Sequence, residues 1–422
     1  MATADARTKP IAWWKEPTRD QWYAWWAAWL GWTLDAFDFT VFLLIMKPIA
    51  DEFKVPLTAV AFVLTITLWM RLVGAGWLAD RIGRKTPLMI SIAWYSLANF
   101  IAGFSPTLLF LLVFRALLGI GMGAEWPVGA ALVMENWPVR SRGLMSGILQ
   151  ASGNLGFLLS SIIYGLFYNS LGWRGMLWIG IVPALSIIYI RFWVKEPPVW
   201  LENRQRQRAE NREMKTPLFA IFKRGMLGNT VGACWFMASA FITFYSINSL
   251  FAAHLQADLH MSPALIATPI AIANLLAFFA SAFCGWFSER IGRRWAMILP
   301  ALLAIPLAPI YLFTGNFAIM AVAFSLQGLA GSGGMFGQVP SYLNERFPTE
   351  VRATATAFCY HQGAIWGGFC APVLAYLAGL WGTGLALPML IGTALGAASF
   401  IVALLLGPET KGKEMVPDLV LA

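Results

Sequence analysis

Charge is what this chain has least of. Only 12% of its 422 residues are Asp, Glu, Lys or Arg, against 59% hydrophobic. That balance excludes a water-soluble globule, which needs far more polar surface to cover its core, and it requires lipid as the solvent. Cysteine is also scarce. Cys234, Cys284, Cys359 and Cys370 all fall in apolar stretches without metal-ligand spacing, so they read as small packing residues and no metal is expected. No nucleophile and base stand at catalytic spacing, which argues against an enzyme and gives no reason to expect a cofactor. The start is polar and the first apolar segment is full length, so a cleavable signal is not needed.

What is present is a series of long apolar segments. A hydrocarbon core of about 30 Å needs roughly 20 helical residues at 1.5 Å each. By that ruler there are twelve spans, forming an all-α membrane protein. Those of the first half are residues 24–47, 57–79, 86–104, 107–134, 144–168 and 175–194. Those of the second are 227–252, 262–287, 295–314, 317–344, 353–380 and 384–406. A leader (1–23), a linker (195–226) carrying Arg204, Arg206, Arg208 and Arg212, and a tail (407–422) complete the expected organisation. Many of the 21 tryptophans crowd span ends, the place where indoles favour headgroups; the rest are expected between helices.

A net charge of +9 raises the question of nucleic acid, but the basic residues do not alternate with stacking aromatics outside the spans, so none is expected. On the twelve-span topology, all but Lys47, Lys54, Arg71, Arg115 and Arg174 of the 30 basic residues fall on one side. The positive-inside rule makes that side cytoplasmic, with both termini, in a cell (inner or plasma) membrane. The linker binds anionic lipid at most.

The chain also repeats itself. Gly76 to Lys85 reads GWLADRIGRK, and Gly285 to Arg294 reads GWFSERIGRR. Each copy joins two apolar segments, so each is a short charged hairpin. Gly83 and Gly292 suit the φ > 0 that a tight turn demands. Asp80 and Glu289 can accept from Arg81, Arg84, Arg290 and Arg293 of their own loops. A second pair follows: Glu135-Asn-Trp-Pro138 running to Arg142 answers Glu345-Arg-Phe-Pro348 running to Arg352. Both decapeptides resemble the loop between helices 2 and 3 of the major facilitator superfamily, and its echo between helices 8 and 9. The resemblance implies two six-helix halves with a substrate site between them and alternating access.

Ionisable residues at membrane depth are functional candidates because they cost several kcal/mol unless paired or hydrated. Asp35 and Asp38 lie about 15–20 Å along helix 1 by its rise, and an i, i+3 pair shares one face. Two carboxylates so placed cannot both carry charge comfortably, which is the property a proton carrier needs; the alternative is a structural pairing with arginine. Arg71, nine residues before Asp80, and Arg115, beside Gly119, Gly121 and Gly123, bring guanidinium groups to similar depth. Arg71 is the first candidate for a substrate anion and Arg115 the second, the alternative being interhelical ties. Glu125 suits an inner gate, a proton exit path or a structural role alike. His254 and Asp258 stand at i, i+4 near the outer end of helix 7, where a solvated terminus is an equal reading. Tyr360, His361 and Gln362 need partners, either substrate or neighbouring helices, and Asn154, Asn248 and Asn274 are weaker candidates of that kind.

The run from Gln21 through Trp29 and Asp35 to Phe39 resembles helix 1 of the sialate/proton symporter family, which includes monocarboxylate/proton permeases. It implies a proton-coupled symporter importing a small organic anion. His254 and Asp258 keep a spacing found in lactate and pyruvate permeases, so a small monocarboxylate is the expected substrate. Leu250, Ala253 and Ala257 depart from that motif. Sialate is an alternative, and Asp35-Ala-Phe-Asp38 resembles aromatic-acid/proton symporters. In related sugar/proton symporters an acid matching Asp38 pairs with an arginine matching Arg115. A monomeric unit is expected, and a non-transporting receptor on the same scaffold is the remote alternative.

Overall fold

The structure is a computed structural model that describes residues 12–55, 57–72, 76–211, 217–251, 254–255 and 263–415. Helix 1 spans Arg19–Phe53; Thr18 caps it, accepting from the Gln21 amide while the Gln21 side chain answers the Thr18 amide. Helix 2 is Leu57–Met70, resumed as Trp77–Ile82, helix 3 is Lys85–Ala102 and helix 4 is Leu108–Asn136. Helical structure then runs Arg142–Trp178, broken at Gly172 (φ 62°, ψ −173°); helix 5 precedes the break. Helix 6 follows it, continuing through Ile179–Ala184 into Leu185–Trp193.

In the second half helices 7, 8 and 9 are Arg224–Asn248, Pro263–Ile291 and Arg293–Phe313. Helix 10 comprises Phe317–Gln327, a π-helical stretch Gly328–Gly334, and Val339–Arg346. Helix 11 is Arg352–Gly368 with Cys370–Trp381, and helix 12 is Ala386–Leu406. The linker carries a helix of its own, Pro198–Ala209.

Among the described residues, ten of the twelve are long and apolar enough to cross a bilayer by length and composition alone. Helix 2 falls short because its first segment stops at Met70, and helix 3 because its 18 residues include Lys85 and Asn99. Outward-facing apolar side chains such as Phe192 and Leu406, each 74% exposed, form the surface that lipid covers.

The halves meet where helix 5 packs on helix 8 and where helices 2 and 4 pack on helix 11. Both decapeptide hairpins lie on one face, called the motif face below. Their glycines turn as the sequence requires, with φ of 106° at Gly83 and 96° at Gly292. In the first hairpin Arg84 reaches Asp80 and Glu135, each at 2.8 Å. Glu135 also accepts from Arg352 of the second half at 2.7 Å, and Asp80 accepts from the Ala353 and Thr354 amides. Burial works against the charge of Arg84, but Glu135 and Asp80 more than offset it, so its pKa lies above the usual arginine range. The second hairpin mirrors this. Arg293 faces Glu345 at 3.5 Å and Glu289 at 3.2 Å, Glu289 accepts from the Gly143 amide, and Arg142 faces Glu345 at 3.5 Å. Gly76 and Gly285 lie against the backbones of Ala353 and Gly143 in the opposite half. Arg81 and Arg290 take no part in these locks; each lies over a tryptophan of its own loop, Trp77 or Trp286.

Candidate functional site

A cavity of about 290 Å³ lies between the halves. Helices 1, 2 and 5 close it on one side, and helices 7, 8, 10 and 11 on the other. Its polar centre is Arg71, whose Nη1 donates to Asp35 Oδ2 at 3.3 Å and whose Nη2 meets Met122 Sδ at 3.1 Å. The guanidinium also lies over the Phe39 ring, 5.4 Å from its centroid. Arg71 is 7% exposed and Asp35 1%, so this ion pair is held almost entirely out of water. Only one oxygen of Asp35 is used; Oδ1 has no hydrogen-bond partner, and neither does Arg71 Nε. Among the described residues, Arg71 is the one Arg or Lys on the wall.

Helix 4 fixes the position of Arg71. A β-carbon at Gly123 would collide with the Arg71 carbonyl oxygen, so only glycine lets helices 2 and 4 approach so closely here. The Gly123 carbonyl in turn meets His361 Nε2 at 2.8 Å, which places the proton on that nitrogen and ties helix 11 to helix 4 at the cavity wall. Tyr360 stacks on Trp126 with centroids 3.8 Å apart and planes 22° apart, and the Trp126 indole donates to Gln150 Oε1 at 3.3 Å. The rest of the wall is aromatic. Trp32, Phe39 and Phe157 come from the first half. Phe241, Phe244, Tyr245 and Phe336 join Tyr360 from the second.

Asp38 and Arg115 stand behind this wall rather than in it. The direct Asp38–Arg115 pairing implied by resemblance to sugar symporters is not formed. Arg115 Nη1 donates to Asn99 Oδ1 at 3.2 Å, while the Asn99 amide nitrogen and the Asp38 carboxylate face the same surface of Gly180. Arg115 also packs over the Phe42 ring, 4.1 Å from its centroid. Glu125 is fully buried against Gly31 on helix 1.

Two further candidates lie off this wall. His254 is buried in a cluster with Tyr311 and Leu312, its Nε2 3.2 Å from the Leu312 carbonyl and outside the cavity wall. Its companion Asp258 lies outside the described residues. Gln362 donates to the Cys234 and Cys359 carbonyls, each at 2.8 Å, so it joins helices 7 and 11 and does not line the cavity. Asn248 bonds Ser332 on helix 10, Asn274 bonds its own helix at Ile270, and Asn154 does line the wall. Gln150, Ser332 and the aromatic wall had no sequence signal of their own. A ring in an apolar helix reads as packing until the cavity is seen, although Phe241, Phe244 and Tyr245 at i, i+3, i+4 already shared a face. Among the described residues no three His, Cys, Asp or Glu side chains gather as a metal site would require.

Comparison with known proteins accords with this architecture. The sequence profile of the Major Facilitator Superfamily matches twice, over residues 28–253 and 233–418. A protein described as a probable 4-methylmuconolactone transporter of Cupriavidus pinatubonensis (strain JMP 134 / LMG 1197) is 31% identical, covering 95% of this chain and 94% of its own. A sialic acid transporter of Escherichia coli (strain K12) is 28% identical, covering 95% and 97%. Among solved structures, a proton:xylose symporter bound to 6-bromo-6-deoxy-D-glucose shares the fold with a TM-score of 0.76 at 20% identity, covering 93% of this chain and 97% of its own.

Proposed function

Because the chain belongs to the Major Facilitator Superfamily and is a multi-pass membrane transporter, we propose that it is a proton-coupled symporter importing a planar aromatic or unsaturated organic monocarboxylate. The observation that carries this reading is the Arg71–Asp35 pair on the wall of an aromatic cavity. A substrate carboxylate competes with Asp35 for the same guanidinium, and the exchange is favourable once Asp35 is neutralised by a proton. A single cation among the described wall residues suits a monoanion. Eight aromatic rings suit a flat, π-bearing body, which gains offset or edge-to-face contacts from them. A lactate-sized molecule would leave most of that wall uncovered, and His254, the residue that pointed to lactate, is not on it. The relative described as a probable 4-methylmuconolactone transporter supports the same preference.

The motif face is the cytoplasmic one on the distribution of basic residues. With that face locked, protons and substrate enter from the opposite side. Substrate takes Arg71 as Asp35 gains its proton, the halves rock, and loss of the proton to the more alkaline cytoplasm lets Asp35 reclaim Arg71 and expel the anion.

The test is uptake into proteoliposomes with an acidic exterior, comparing labelled benzoate, 4-hydroxybenzoate, a muconolactone, lactate and sialate, with and without protonophore. An aromatic or unsaturated acid should accumulate and collapse with protonophore, while lactate should not. Asp35→Asn should keep counterflow and lose accumulation; Arg71→Ala should lose both. Accumulation of lactate in preference to every ring acid would sink the substrate assignment.

A further inference from the structure

Glu125 takes no part in the anion site, yet it is fully enclosed and neither of its carboxylate oxygens has a hydrogen-bond partner. Such a group is costly to keep unless it is used. Its place is prepared. A β-carbon on Gly31 would collide with Glu125 Oε1, so helix 1 is open where this helix 4 side chain reaches it. Asp35 stands one turn along the same face of helix 1, and its oxygen not bonded to Arg71 is likewise unpartnered. The charged and titratable groups around Glu125 are Asp35 on helix 1 and Arg71 on helix 2, with the unpartnered Tyr95 hydroxyl on helix 3. From helix 11, His361 is bonded to the Gly123 carbonyl, two residues before Glu125.

We propose that Glu125 is a second station for the transported proton, taking it from Asp35 and delivering it to the motif face; this rests on the symport reading above. In the step, the O–H bond of neutral Asp35 breaks and an O–H bond forms on the anionic Glu125 carboxylate. Asp35, now the anion, closes on Arg71 as the substrate leaves. Glu125 then releases the proton to water admitted when the motif face opens, which resets it as the acceptor. One proton crosses per substrate, and the buried cluster never holds both carboxylates and the substrate charged at once.

The experiment measures gradient-driven uptake and counterflow in parallel in proteoliposomes, using the carboxylate that the wild type accumulates. A pH gradient of one unit supports about tenfold accumulation in a one-proton symporter. Glu125→Gln should keep counterflow within about twofold, well inside the ~1.4 kcal/mol of a tenfold change, and should lose accumulation. Glu125→Asp should accumulate with a shifted pH profile. The relay is overturned if Glu125→Gln accumulates substrate with the wild-type pH profile. It is equally overturned if Glu125→Gln loses counterflow while Glu125→Asp keeps it, since Glu125 is then a substrate contact. A wild type that ignores the pH gradient overturns the symport reading itself, before any variant is compared.

Discussion

Gly123 decides where Arg71 can stand. Its α-carbon lies so close to the Arg71 carbonyl that a methyl group has no room, and the neighbouring Gly119 lies against Thr67 in the same way. Gly123→Ala must therefore push helix 2 away from helix 4, at a cost of about 1–3 kcal/mol. It should also move the guanidinium from Asp35 and release His361 from the carbonyl it holds. The expected result is a lower thermal midpoint in detergent together with a weaker apparent affinity for substrate, both visible in a binding titration followed by tryptophan fluorescence. An unchanged affinity would show that helix 4 does not set the anion site. Asp35, Arg71 and Glu125 were legible from sequence because a charge in an apolar span stands out whatever surrounds it. The distinction between cavity wall and second layer was not legible. Helical rise gives the depth of Arg115 and Gln362 but not their direction around the bundle axis, and Asn99 between Asp38 and Arg115 is a pairing across three helices.

Elements were easier to foresee than their interruptions. The hairpin glycines, the two charged loops and the approximate spans follow from composition and repetition. The π-helical Gly328–Gly334 arises where glycine-rich backbone packs on helix 8, with Gly328 against Ala273 and Gly333 against Ala277, so the apolar pattern alone does not announce it. The far end of helix 1 offers a test at this scale. Glu52 accepts from the Trp173 indole at 2.6 Å and faces Arg174 at 2.6 Å, pinning helix 1 to the turn after Gly172. The indole hydrogen bond, with help from Arg174, holds the Glu52 carboxyl below its ordinary value. A lowered carboxylate adds stability that is fully present above the unfolded pKa and disappears as pH falls through the folded one. Because both side chains are partly exposed, the gain is below about 1 kcal/mol. Glu52→Gln should unfold slightly earlier than wild type at neutral pH and indistinguishably from it near pH 3 or below; a difference that persists in acid would assign the effect to packing of Trp173.

At the scale of the whole molecule, the two halves are joined by hubs related by the internal repeat, but the hubs are not equal. Glu135 holds Arg84 and Arg352 at 2.8 and 2.7 Å, whereas Glu345 faces Arg293 and Arg142 at 3.5 Å each. Repetition in the sequence predicts both hubs and cannot rank them, since the ranking depends on how closely the second half is drawn onto the first. Removing the carboxylate of a buried pair leaves its arginines unpaired, a loss of about 3–5 kcal/mol when the geometry is tight. Among the described residues, the hydrogen bonds that cross between halves run from the motif face no further than His361, so these contacts oppose opening on that side alone. Glu135→Gln should therefore shift the resting population toward a state open at the motif face, and Glu345→Gln should shift it less. Spin labels at positions 81 and 290, in a background without the four native cysteines, read this as an inter-hairpin distance distribution. The longer component should grow most for Glu135→Gln, with uptake falling in the same order because a transporter that cannot close this face cannot return its empty site to the other side. If Glu345→Gln opens the face as far, the shorter contacts at Glu135 do not govern the closed state, and closure is instead shared evenly between the hubs.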